Sequence, residues 1–248
     1  MFFKMFPYTS YRFGDADELS FTEDLTVYAE VLDTLRVNDS FYVDYYIQHG
    51  ERADHVAYKL YKNPQLHWTF YLMNPDLREC GWPRTDMQVL DQVKKDLPHT
   101  VVNTNQNMLD KMFVGQLATG QTSGASGRVL SRDVNLGQLV IEVYEGTFTS
   151  SGEDITSVVG ESEEIQTLTA YSIEPQYLST KYHTYNSEQV DIDPYTGKHT
   201  TIDDEVVTPA QVSHYDYYRT TNNELRKIRA LKESVVGDVV KAFRDAIG

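Results

Sequence analysis

The stretch FYVDYYIQHGERADHVAYKLYKNPQLHWTFYLMN, residues 41–74, decides the fold. Phe41 to Ile47 is dense in aromatic and β-branched residues and predicts a strand. Gly50 marks a turn. From Ala53 to Tyr61, Val56, Ala57, Leu60 and Tyr61 fall on one stripe of a helix. Asn63-Pro64 stops that helix, because proline forces its predecessor out of the α region. Pro64 then suits the first turn of a second helix running to Met73. Leu66, Trp68, Phe70, Leu72 and Met73 make that helix almost wholly apolar, so it belongs in a core. Asn74-Pro75 ends it. The sequence thus predicts a strand–helix–helix unit.

Outward from this unit the organisation changes. Residues 1–40 form an arm in which Phe2, Phe3, Phe6, Tyr8, Tyr11 and Phe13 follow no period. Such an arm lies on a neighbouring chain or tucks onto its own. Residues 41–114 form the core domain, with a further helix near Met87 to Leu97. Residues 115–160 are rich in Gly, Ser and Thr. There Leu139, Ile141 and Val143 alternate with other residues at a strand period of two, which predicts a small all-β insertion. Residues 161–215 are polar and turn-rich. Residues 216–248 predict one long helix, about Thr221 to Ile247. Its apolar seam is Leu225, Ile228, Val235, Val239 and Phe243, with charges off the seam. This helix either packs on its own domain or pairs with another chain, and the narrow seam favours the second. The fold class expected is α+β.

Composition narrows the function. A net charge of −15 and a pI of about 4.8 argue against nucleic acid, whose binders cluster Lys and Arg against phosphates. Eighteen Tyr, ten Phe and two Trp suit protein interfaces, where large rings with polar tips are enriched. A single cysteine, Cys80, allows no intrachain disulfide and fits a reducing compartment. The apolar start, Met1 to Pro7, is too short for a signal sequence, and no run approaches the roughly 18 apolar residues of a membrane span.

A search for chemistry finds little. No His-Glu-x-x-His, Cys-x-x-Cys or Gly-x-Ser-x-Gly occurs. His49 and His55 are near neighbours but have no cysteine beside them. Asp191 to Gly197 has the look of a calcium loop without its later oxygen ligands, and reads as a polar turn. Gly124 to Gly127 has no lysine after it and reads as a tight turn. No catalytic residue, metal ligand or cofactor is assigned.

Tyr45-Tyr46-Ile47, Tyr58-Lys59-Leu60-Tyr61-Lys62-Asn63-Pro64-Gln65-Leu66-His67-Trp68, Leu72-Met73-Asn74 and Gly81-Trp82 closely resemble the baseplate wedge subunit 53 family of T-even-type contractile-tailed phages. Asn223-Glu224-Leu225-Arg226-Lys227-Ile228 and Lys232-Glu233-Ser234 are similar, in the same order, to the same family's C-terminal Glu-x-Leu-Arg-x-Ile helix. Together the runs cover about a third of the chain. The resemblance implies a non-enzymatic structural protein of the virion, made in the host cytoplasm and joining late in wedge assembly. It would help adjacent wedges associate into the sixfold baseplate. Its partners would be other wedge subunits and tube- and sheath-proximal baseplate proteins, with neither nucleic acid nor membrane among them.

The family's central unit is also similar to a LysM fold. Tyr45, Ile47, Gly50-Glu51, Ala57, Tyr61 and Asn74 fall where that fold has its strand, turn, helix and closing asparagine. After Asn74, however, the chain runs to Gly81-Trp82-Pro83 and a helix, where LysM has its closing strand. The alternative function is therefore a peptidoglycan-binding LysM-type module. The insertion is similar to small β modules in tail proteins of cyanobacterial myoviruses. The motif marks Tyr61, Asn63, Pro64, Trp68, Asn74 and Trp82 as structural. Phe2, Phe3, Phe6, Tyr8, Leu225, Ile228, Val235, Val239 and Phe243 are the expected interface residues.

Overall fold

The structure is a computed structural model that describes residues 8–11, 20–23, 39–149, 152–159 and 164–247. It mixes helix and sheet. Its strands are β1 (Tyr8–Tyr11), β2 (Ser20–Glu23), β3 (Tyr42–Tyr46), β4 (Thr100–Asn103), β5 (Leu117–Gly120), β6 (Ser126–Asp133), β7 (Gln138–Glu145) and β8 (Asp154–Val159). They continue as β9 (Glu164–Thr169), β10 (Ser172–Pro175), β11 (Thr180–Tyr185), β12 (Glu188–Val190), β13 (His199–Thr200), β14 (Val206–Val207), β15 (Ala210–Ser213) and β16 (Lys227–Leu231). The helices are α1 (Ala53–Tyr61), α2 (Trp68–Met73), α3 (Pro75–Cys80), α4 (Asp86–Asp96), α5 (His214–Glu224) and α6 (Glu233–Ile247).

The chain divides into two compact units. Unit 1 takes residues up to Thr85 and again from Thr221, while unit 2 is the contiguous run Asp86–Thr220. The inserted unit is thus wider than the 115–160 expected from composition.

In unit 1, β3 and β16 pair antiparallel, with Asp44 opposite Arg229 and Tyr45 opposite Ile228. Helix α1 buries Val56, Ala57 and Tyr61. Lys62 ends it in the left-handed region at φ 55°, with its N–H donating to Tyr58 O. The second helix is shorter than expected. Pro64–Leu66 forms a 3-10 turn, and α2 starts only at Trp68. Asn74 then leaves helical geometry, and Pro75 opens α3, which buries Leu77.

The single helix expected over Thr221 to Ile247 is corrected. Helix α5 ends at Glu224, β16 follows, and α6 begins at Glu233. In Lys227-Ile228-Arg229-Ala230-Leu231 the alternation of period two wins: Ile228 and Ala230 are buried while Lys227 and Arg229 are exposed. The same apolar residues also sit at helical spacing, so pairing with β3 decides between the two. A second correction follows from burial. Ile228, Val239 and Phe243 lie in the core of unit 1, with Leu225 and Val235 packed half-buried against it. Ile228, Val239 and Phe243 are thus buried within the chain and form no exposed seam, while Leu225 and Val235 keep part of their surface.

Unit 2 is built on an antiparallel sheet in the order β10-β4-β7-β6-β5-β8-β9. Strands β9 and β10 are successive in sequence, separated by Ala170 and Tyr171, yet stand at opposite ends of that order. Consecutive Cα atoms lie about 3.8 Å apart, so these ends are within about 11 Å and the sheet must roll up. Tyr171 N–H donates to Asn103 O at 2.9 Å, and the Thr104 hydroxyl donates to Thr169 O at 2.8 Å. Val102, Val129, Leu139, Ile141, Ile155 and Leu168 fill the interior, joined by Met108, Met112 and Phe148. Gly127 is required where β6 bulges against β7. A Cβ there would stand 2.5 Å from Glu142 O and 2.6 Å from Ile141 Cγ2. A smaller sheet, β12-β11-β15, and the hairpin β13–β14 complete the strands of the unit.

Candidate functional site

The residues marked by the resemblance gather in unit 1. Tyr61, Phe70, Trp82 and Tyr71 form a chain of rings with centroids 5.8, 5.8 and 6.1 Å apart, and Trp68 meets Phe243 at 5.0 Å. Offset and tilted pairs at these distances add to what burial alone contributes. Burial pushes the Tyr61 hydroxyl up to about 12, so it stays neutral. Trp82 Nε1 donates to Glu51 O at 2.6 Å, fixing the loop between β3 and α1. Asn63 Oδ1 accepts from Gln65 N at 3.0 Å, and Pro64 needs no donor at the first position of the 3-10 turn.

Asn74 does what a strand would do. Its Oδ1 accepts from Arg229 N at 2.8 Å, and its Nδ2 donates to Arg229 O at 2.9 Å and to Phe70 O at 2.8 Å. One amide side chain therefore closes the end of α2 and pairs with the outer edge of β16.

A second tie holds the two points where the chain leaves and re-enters unit 1. Arg84 N donates to Asn222 Oδ1 at 2.7 Å, while Asn222 Nδ2 and Arg226 Nη2 each donate to Arg84 O at 3.0 Å. Asn222 and Arg226 are buried. Sequence reading missed Asn222 entirely, since an asparagine beside Asn223 in a polar run carries no signal. Arg226 was legible only as part of the resembling run.

At the surface of the same unit, Tyr45, Glu51 and Lys59 form a network. The Tyr45 hydroxyl donates to Glu51 Oε2 at 2.9 Å, and Lys59 Nζ donates to the Tyr45 oxygen at 3.0 Å and to Glu51 Oε1 at 3.1 Å. Burial raises Glu51, but hydrogen bonds from the Gln48 amide, Lys59 and Tyr45 outweigh it and leave the carboxyl below its usual value. Bonds to Tyr45 and Glu51 raise Lys59. The network braces the turn between β3 and α1.

In unit 2, Glu153 is 1% exposed. Its oxygens accept from Ser123 N at 2.7 Å, Thr149 N at 2.7 Å and the Thr149 hydroxyl at 2.8 Å. Burial pushes its carboxyl up, and these bonds more than reverse that. Gly120 leaves the room, since a Cβ there would meet the carboxylate. Asp193 caps its own turn, accepting from Tyr195 N at 2.9 Å and the Thr196 hydroxyl at 2.9 Å. Among the described residues no group of three or more His, Cys, Asp or Glu side chains could hold a metal, and no helix is long and apolar enough to cross a membrane.

Phe2, Phe3 and Phe6 lie outside the described residues. Tyr8 opens β1 and pairs with Glu23 of β2. No family model matches the chain, and no curated protein matches it.

Proposed function

We propose that this chain is a structural subunit of a contractile phage tail baseplate wedge, acting through protein–protein contacts and not by catalysis. In this reading unit 1 is a LysM-like fold, and its closing strand is β16. The observation that carries the proposal is the joining of two distant runs. Residues 45–82 and 223–234, which bear the resemblance, belong to one unit and meet through Asn74 with Arg229 and Arg84 with Arg226. The order strand, helix, helix, antiparallel strand is supplied by β3, α1, α2 and β16. The closing strand absent after Asn74 in the sequence is supplied from beyond unit 2. The acidic groups with perturbed environments serve turns and braces, which fits a scaffold better than a catalyst.

The partners are other wedge subunits and tube- and sheath-proximal baseplate proteins, in the virion and, during assembly, in the host cytoplasm. Co-expression with the wedge and tube-proximal proteins of the same tail tests this. The chain is expected to co-elute with at least one of them on size-exclusion chromatography. Elution alone in every combination overturns the assignment. The glycan-binding alternative is tested by sedimentation with peptidoglycan, where the chain is expected to stay in the supernatant.

A further inference from the structure

Sheet edges in this chain are treated unequally. The outer edge of β9 is covered by the loop between β4 and β5, with Lys111 Nζ on Thr167 O at 3.1 Å and Thr169 N on Gln106 Oε1 at 3.2 Å. The outer edge of β16 is covered at Arg229 by Asn74. The outer edge of β3 differs. Ile47 N–H donates to Arg226 O and Lys232 N–H to Phe41 O, each at 2.9 Å. Antiparallel pairs alternate, so these two bonds direct the main-chain groups of Val43 and Tyr45 toward β16 and those of Asp44 and Tyr46 away from it. Among the described residues no partner meets the Asp44 N–H, the Asp44 carbonyl or the Tyr46 N–H. The Tyr46 carbonyl is held by Gln48 Nε2 at 3.1 Å, an exposed contact that an incoming donor can replace. Tyr46 is 56% exposed and Val43 41%.

We propose that this edge of β3 receives an extended segment of a different protein, paired antiparallel, with Lys or Arg opposite Asp44 and apolar residues two positions to either side. Unpaired main-chain donors and acceptors in a row are complemented by another strand. The rings of Tyr42 and Tyr46 flank Asp44 on one face, which sets the apolar positions. Asp44 sets the charge. Its carboxylate stays 65% exposed although Arg229 stands opposite it and Lys227 Nζ lies 3.9 Å away, both on the β16 side, so a second cation can reach it from the outer side. A second copy of this chain is the wrong occupant. Pairing about a two-fold at the centre of the strand would set Asp44 against Asp44, and like charges directly opposite destabilise a ladder. One carboxylate thus admits a basic strand and rejects self-association. The inference does not rest on the baseplate reading, because it requires only a protein strand of this pattern.

The test uses the full chain and the peptide acetyl-Thr-Val-Thr-Lys-Thr-Val-Thr-amide, with amide hydrogen exchange read by NMR. The Lys peptide is expected to slow exchange at Asp44 and Tyr46 by about tenfold or more, a difference worth about 1.4 kcal/mol. The same peptide N-methylated at its lysine, or carrying Glu in place of Lys, is expected to bind at least about tenfold more weakly. Asp44→Lys is expected to reverse the preference between the Lys and Glu peptides, and Asp44→Asn to abolish it. Unchanged exchange at Asp44 and Tyr46 in millimolar peptide, or equal binding of the N-methylated peptide, overturns the proposal. So does an unaltered preference in Asp44→Asn, which keeps the test decisive if Asp44→Lys fails to fold.

Discussion

The core of unit 1 is assembled from two segments separated by the whole of unit 2, and it is held by stacked rings. The core of unit 2 comes from one contiguous run, and it is a rolled sheet filled by aliphatic side chains around polar ties. Charge divides the same way. Unit 2 holds twenty of the thirty-seven acidic residues but eight of the twenty-two basic ones, which leaves unit 1 nearly balanced. The chain's acidity is therefore a property of the insertion, and a basic strand approaching β3 meets little long-range attraction from unit 1 itself. Recognition there has to come from Asp44 and the main chain.

Breaking unit 1 alone is the strongest way to expose the difference. Phe243 is fully buried against Trp68, so Phe243→Ala is expected to cost about 3–5 kcal/mol. Hydrogen exchange should then rise across β3, β16 and α1 while the rolled sheet of unit 2 keeps its protection. The matching cut in unit 2 is Glu153→Ala. It strands three donors and is expected to cost about 3 kcal/mol, read by urea denaturation. The pH dependence has a definite sign. The folded carboxyl lies below its unfolded value of 4.5, so its contribution is present above that pH and is lost as pH falls below it. Glu153→Gln should flatten this acid limb.

A smaller loss is expected at the seam that completes unit 1. Asn74→Ala removes the amide that bonds both main-chain groups of Arg229 and should cost about 2 kcal/mol, again by denaturant titration. The smallest effect runs the other way. Lys62 is exposed at φ 55°, so Lys62→Gly should stabilise unit 1 by about 0.5–1 kcal/mol, seen as a raised melting temperature.

Much of unit 1 was legible because its signals are local. The aromatic run at Tyr42–Tyr46, the stripe in α1 and the stop at Asn63-Pro64 each act within a few residues. The strand β16 was not legible for the opposite reason. Lys, Arg, Ala and Leu are good helix formers, Ile228 also fits a helical seam, and only pairing with a strand far upstream selects the extended form. The extent of unit 2 was hidden likewise, since β4 joins the sheet through β7 and β10 and not through its own neighbours in sequence. At the site, Trp68 and Trp82 announced themselves by size. The roles of Asn74, Asn222 and Arg226 depend on carbonyls brought near by the fold, which no spacing encodes.

The split strand pair also sets an order of events at the ribosome. When β3 emerges its partner has yet to be made, and at about 5–20 residues per second the wait through residues 86–220 is on the order of ten seconds. Unit 2 can finish during that wait, while unit 1 has its helices but no mate for β3. Closure then requires a contact of very high sequence separation, the slowest kind to form. Newly made chains therefore pass through a stage in which β3 still lacks β16, with its aromatic residues open to a chaperone or a neighbouring nascent chain. A message cut short before Leu231 would leave unit 2 intact on a chain whose other half never closes.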